Sequence, residues 1–129
     1  MADDAVKRVL LVEDASLVRL YYRGALERAG FQVDEALNGL EALEKLLTAP
    51  VDLLIVDVNM PQMDGVTFID SLRRQEGTVA ATPALVTSTE SSPKDFAAAR
   101  RAGANFYLVK PLTRETLREF ANMLCGRPA

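Results

Sequence analysis

The chain has 129 residues, 49% hydrophobic and 26% charged. That is enough for one ordinary domain burying roughly two-thirds of its unfolded surface, with no compositional sign of disorder. Lys and Arg (15) against Asp and Glu (18) leave a net charge of −3, which excludes the basic surface that nucleic-acid binding relies on, and the absence of histidine removes both the commonest general base and the commonest zinc ligand.

The N-terminus, MADDAVKR, has no long apolar segment behind it and does not read as a secretory signal. No apolar run approaches the ~18 residues of a membrane span, so no membrane insertion is expected. The run VLLV (9–12) predicts the first buried strand. Val18, Tyr21, Tyr22, Ala25, Leu26 and Ala29 then repeat at helical spacing, and Gly30 supplies a stop. The alternating FQVDEA (31–36) suits a less buried strand. Ala42, Leu43, Leu46 and Leu47 stripe a second helix, with Glu41 and Lys45 expected to pair on its outside. LLIV (53–56) is the most hydrophobic strand, and Val66, Ile69 and Leu72 mark a third helix. ALVT (84–87) is followed by Ser92, Pro93 and Asp95, which read as the cap, first-turn proline and capping acid of a fourth helix. FYLV (106–109) and a helix through Leu117, Phe120, Ala121 and Leu124, capped by Thr113, close the chain. Cys125, the single cysteine, cannot form an internal disulfide; it suits a reducing cytosol and reads as a small hydrophobe.

Strand and helix alternate five times without a repeat, linker or low-complexity stretch. This predicts one doubly wound α/β domain, a five-stranded parallel sheet with five helices covering both faces. In such a sheet ligands bind beyond the carboxyl ends of the strands. There the sequence gathers its unusual polar residues: Glu13 and Asp14, Asp57, Ser88 and Lys110. Singly, each is a solvated strand end, a surface ion pair or, for Asp14 before Ala15, a helix cap. Together they put three carboxylates, a hydroxyl and an ammonium on one rim. Oxygen ligands without histidine or thiolate suit a hard cation, magnesium before zinc.

Three chemistries compete for such a rim. A flavodoxin-like cofactor binder should offer amides and hydroxyls to a phosphate after its first strand, where this chain has two acids. A magnesium-dependent phosphatase with an aspartate nucleophile needs an acid two residues on, where this chain has Asn59. The third is an aspartate that accepts a phosphoryl group and holds it as a signal.

Glu13-Asp14, Asp57 followed by NMPQMDG, Ser88 and Lys110-Pro111, at these spacings, resemble the receiver domain of bacterial two-component response regulators. The resemblance covers essentially the whole chain, as one receiver domain over 1–129 with no output domain, and is nearest the single-domain, CheY-like members used in chemotaxis. It implies that Asp57 is the phosphoacceptor, taking the group from a phosphohistidine on a sensor histidine kinase. It implies a Mg2+ site of Asp14, Asp57, the carbonyl of Asn59, and Glu13 acting mainly through water. Ser88 would bind a phosphoryl oxygen, Lys110 would pair with the phosphate, Tyr107 would be the aromatic switch, and the Lys110-Pro111 peptide would be cis. The protein would be a cytoplasmic signalling phosphoprotein, not an enzyme beyond its own phosphorylation and dephosphorylation. It would bind a downstream protein through the fourth helix, fifth strand and fifth helix, with Arg100, Arg101, Phe106, Tyr107 and Arg118 in that region. A phosphorelay intermediate, passing the group to a histidine phosphotransfer protein, is the alternative reading, and a small magnesium-dependent phosphatase a more remote one. Thr89, larger than the alanine or glycine usual in the family, is expected to narrow access to Asp57.

Overall fold

The computed structural model describes residues 6–127. In chain order the elements are β1 (Arg8–Val12), α1 (Ser16–Arg28), β2 (Gln32–Ala36), α2 (Gly39–Thr48), β3 (Leu53–Asp57), α3 (Gly65–Arg73), β4 (Ala84–Ser88), α4 (Pro93–Ala102), β5 (Phe106–Val109) and α5 (Arg114–Leu124). The strands form one parallel sheet of order β2-β1-β3-β4-β5. This is the doubly wound architecture expected, with one 3-10 turn (Thr78–Ala81) that carried no sequence signal.

Pleating decides where each side chain goes. Val9, Leu11, Leu53, Ile55 and Leu85 pack with Leu26 of α1 and Leu117 of α5, while Leu10, Val12, Leu54, Val56 and Val86 pack with Leu46, Phe68 and Ala102 on the other face. The central strands are buried on both sides, which is why their sequences run apolar without alternation. Each such Leu or Ile contributes roughly 1.5–3 kcal/mol by leaving water. The strand β5 departs from this reading. It is a sheet edge, and Phe106 and Val109 are 40% and 39% exposed.

The helix ends follow local chemistry. Ser92 and Thr113 cap α4 and α5 as expected, accepting from the amides of Asp95 and Thr116. Asn38 and Asp64 do the same for α2 and α3, each cap contributing on the order of 1 kcal/mol. Asp14 is not a cap: Ala15 holds that position with no side-chain bond. After α1 the chain turns at Gly30, φ +92°, in the left-handed region. Glu41 and Lys45 do not pair. Glu41 reaches back to the Leu37 amide at 2.7 Å, and Lys45 bonds the Glu35 carbonyl and Asp34.

The turn after β3 is held by close approach. The Gly65 amide donates to the Val58 carbonyl at 2.9 Å, and a Cβ on Gly65 would lie 2.5 Å from the Asp57 carbonyl oxygen. Only glycine lets α3 begin this close to the end of β3. Gly65→Ala is therefore expected to destabilise the fold by about 1–3 kcal/mol, read as a lower urea midpoint at unchanged slope. An unchanged midpoint would mean that the backbone yields freely here.

Candidate functional site

Residues two steps beyond the α1/α5-facing core residues continue the same pleat. From Leu11, Ile55 and Leu108 that step reaches Glu13, Asp57 and Lys110. The three meet: Lys110 Nζ lies 3.0 Å from both Glu13 Oε1 and Asp57 Oδ1. Strand order reverses between β1 and β3, so Glu13 and Asp57 flank the switch point of the sheet. Asp14 follows in the exposed loop before α1. One carboxylate oxygen from each of Glu13, Asp14 and Asp57 falls within a 4.8 Å group.

Asp57 and Glu13 are 5% and 1% exposed, so the floor of the site is buried, where the sequence suggested an open rim. Burial raises the pKa of both carboxyls; the Lys110 hydrogen bond works against it, while Asp14 beside Asp57 and Asp57 beside Glu13 add like-charge repulsion. Burial opposes the charge on Lys110 too, but its bonds to the two carboxylates prevail and its pKa is raised. Three carboxylates facing one ammonium leave the site short of positive charge. The donor set fits magnesium: hard oxygens, no nitrogen or sulfur ligand, and an exposed acid at the mouth.

Ser88 closes β4, fully buried, and its Oγ accepts the Glu90 amide at 3.0 Å. The next strand position back, Thr87, registers against Asp57. Its hydroxyl is buried without a partner, so β-branched packing alone does not account for a threonine there. Tyr107 is half-buried; its hydroxyl donates to the Glu90 carbonyl at 3.0 Å and its ring meets Phe96 edge-on at 4.7 Å. Glu90 thus holds Ser88 through its amide and Tyr107 through its carbonyl, a link that no local pattern announces. Asn59 is exposed in the loop after β3, and Lys110-Pro111 is cis. Thr89 lines an apolar groove of about 520 Å³ beside Lys110, with Leu17, Tyr21, Tyr22 and Pro111.

Of the residues expected on a docking face, Arg100, Phe106 and Tyr107 line one groove with Phe96 and Asn105. Arg101 is exposed on the same last turn of α4, whereas Arg118 opens onto a different groove with Arg28 and Arg114. The Cys125 thiol is half-buried and pushed up to about 11 by burial, as suits an inert filler.

The response regulator receiver domain model matches residues 9–122, and the chain belongs to that family. Among relatives, it is 35% identical over 121 residues to the chemotaxis protein CheY1 of Helicobacter pylori, covering 92% of this chain and 97% of that one. It is 40% identical over 104 residues to the transcriptional regulatory protein PrrA of Mycobacterium leprae, spanning 81% of this chain and only 43% of PrrA. Among solved structures, the receiver domain of sensor histidine kinase PA1611 from Pseudomonas aeruginosa superposes with a TM-score of 0.87 at 25% identity, covering 95% and 99% of the two chains; it holds a magnesium ion coordinated in its active site cleft. The chain is therefore a receiver domain of two-component signalling, with the flavodoxin-like, CheY-like fold read from its sequence.

Because the carboxyl pKa values of Asp57 and Glu13 are raised, their stability contribution is complete below the ordinary values of 3.8 and 4.5 and is lost as pH rises through the raised ones. At pH 7, without divalent cations, both charges burden the fold. Asp57→Asn leaves Lys110 paired with Glu13 and is expected to gain on the order of 1 kcal/mol at pH 7, a few degrees in Tm. The gain should shrink as pH falls towards 4. Thermal melts in chelator from pH 4 to 8 check both sign and trend, and a Tm below wild type at pH 7 would contradict them.

Proposed function

We propose that this chain accepts a phosphoryl group on Asp57 and uses it to switch a protein partner. The observation that carries this reading is a half-buried ammonium bonded to two buried carboxylates inside an all-oxygen acidic group. In the reaction an Asp57 carboxylate oxygen attacks the phosphorus of a phosphohistidine on a sensor histidine kinase. The P–N bond breaks, and its electron pair leaves on the imidazole nitrogen. The chain has no histidine, so the donor imidazole comes from the partner. Glu13, Asp14, Asp57 and the carbonyl of Asn59 would hold Mg2+, which neutralises charge on the transferring phosphoryl oxygens when bound. Magnesium in the related PA1611 receiver supports this assignment.

Lys110, already at Asp57, exchanges a carboxylate for a phosphoryl oxygen. Ser88 releases the Glu90 amide and donates its hydroxyl to another phosphoryl oxygen. Since Tyr107 hangs from the Glu90 carbonyl, that exchange reaches β5 and the groove of Arg100, Phe106 and Tyr107, where Arg101 stands beside it. That face would bind the downstream protein, and the similarity to CheY1 favours a chemotaxis or related two-component pathway in the cytoplasm. No helix among the described residues is long and apolar enough to cross a membrane. The only chemistry proposed is its own phosphorylation and dephosphorylation.

Intact mass after incubation with acetyl phosphate tests the acceptor. A labile gain of one phosphoryl group is expected from wild type with magnesium, and none from Asp57→Asn or after chelation. No adduct with steady release of free phosphate would point to turnover in place of signalling. The second expectation concerns Thr89 at the groove beside Lys110. Thr89→Ala should speed both transfer and hydrolysis several-fold, followed by phosphate release; unchanged rates would mean that the side chain does not gate Asp57.

A further inference from the structure

Arg19 lies on α1, where the Cα–Cβ bond points back toward the helix start. Its side chain is only 17% exposed, and its donors converge on the loop that carries the acids. Nη1 donates to the main-chain oxygen of Glu13 at 2.8 Å and to that of Asp14 at 3.3 Å. Nε donates to Glu35 Oε1 on β2 at 3.2 Å. The other Glu35 oxygen accepts from Arg23 Nη1 at 2.7 Å, and Arg23 is held in turn by Glu27 at 3.0 Å. The guanidinium thus ties α1 and β2 to two consecutive peptides between β1 and α1.

That loop needs a tie. The N-cap, Ala15, has no side-chain cap bond, and Asp14 is exposed. Repulsion within the acidic group favours swinging Asp14 away. We propose that Arg19 is a positioning residue for the cation site: by gripping the Glu13 and Asp14 carbonyls it keeps both carboxylates converged with Asp57. The inference rests on the magnesium reading above. Glu35 completes the device, since it fixes the orientation of the guanidinium and offsets its charge. Charge and restraint make opposite predictions. If Arg19 acted only as a nearby positive charge, removing it would tighten cation binding. If it positions the loop, removing it weakens binding.

The test is a magnesium titration of the unphosphorylated protein, followed by NMR through the backbone amides of Asp57 and Asn59. Arg19→Gln is expected to weaken magnesium binding about tenfold, the effect typical of removing a group that orients metal ligands. Glu35→Gln should weaken it in the same direction. Arg23→Gln, which loses ion pairs with Glu35 and Glu27 but has no bond to the loop, should stay within about twofold of wild type. Peaks of the central strands report whether each variant is folded. Should Arg19→Gln fail to fold, Arg19→Lys decides, since it keeps the charge without the fork that spans both carbonyls and Glu35: weaker binding supports positioning and unchanged binding overturns it. Wild-type saturation with unchanged or tighter binding in Arg19→Gln would overturn the positioning role, whatever Glu35→Gln does. If wild type shows no saturation, the magnesium reading fails and this inference falls with it.

Discussion

The contact on which the rest of this structure depends is the one Lys110 makes with Glu13 and Asp57. Its partner Glu13 is 97 residues away in sequence, and the ends of β1, β3 and β5 bring the three groups together. In the sheet, β5 and β3 are not neighbours; β4 lies between them, and strands stand about 4.8 Å apart. The loop after β5 must therefore lean across the end of β4. The Lys110 amide bonds the Ser88 carbonyl at 2.7 Å, which fastens that loop down. Without parallel register across β1, β3, β4 and β5, the ammonium would not reach either acid.

The price for this arrangement falls on stability. Paired burial of opposite charges is close to break-even at best, and here the acids outnumber the base. Glu13 and Asp57 hold raised pKa values because burial outweighs the help from Lys110. Such a site is poised to take up positive charge. A phosphoryl group alone would add to the excess of negative charge, so the proposed chemistry requires a cation for the same reason that the acids repel one another. A well-packed apolar plug at the same place would stabilise the sheet and end the function, which is the usual conflict at sites where local rules are broken.

Much of this was legible in the sequence because strand ends obey simple parity. A buried parallel strand must be apolar at every position, so a carboxylate terminating LLIV could only belong to the carboxyl edge of the sheet. What could not be read was competition among partners. Glu41 and Lys45 have ideal helical spacing, yet each found a partner outside the helix, a backbone amide for one and β2 for the other. Arg19 sits four residues before Arg23, and nothing local indicates that both turn to Glu35 on β2. The exposure of Phe106 and Val109 likewise depends on β5 being last in the sheet, which order of strands decides and composition does not. Asp57 was legible by position but not by depth, since the covering contribution comes from Lys110 at the far end of the chain.

For the proposed phosphorylation, the arrangement around Glu90 offers a short route from the acidic floor to the surface. Ser88 is engaged by the Glu90 amide, and the Glu90 carbonyl holds the Tyr107 hydroxyl. Glu90 itself is exposed and lies in the short connection between β4 and α4, outside either element. A residue so placed moves at lower cost than one inside a strand or helix, because fewer packed neighbours must shift with it. Its two main-chain bonds reach a hydroxyl at the acidic floor on one side and a phenol beside the groove of Arg100 and Phe106 on the other. In the proposed switch, a phosphoryl acceptor that drew the Ser88 hydroxyl towards itself would lengthen the first bond and loosen the second. The Tyr107 ring, held otherwise by its edge-on contact with Phe96, would then be free to change position relative to α4. Coupling of the proposed kind needs two alternative positions for one hydroxyl and a pliant loop beside it, and the Ser88–Glu90 stretch after β4 offers the groups for both.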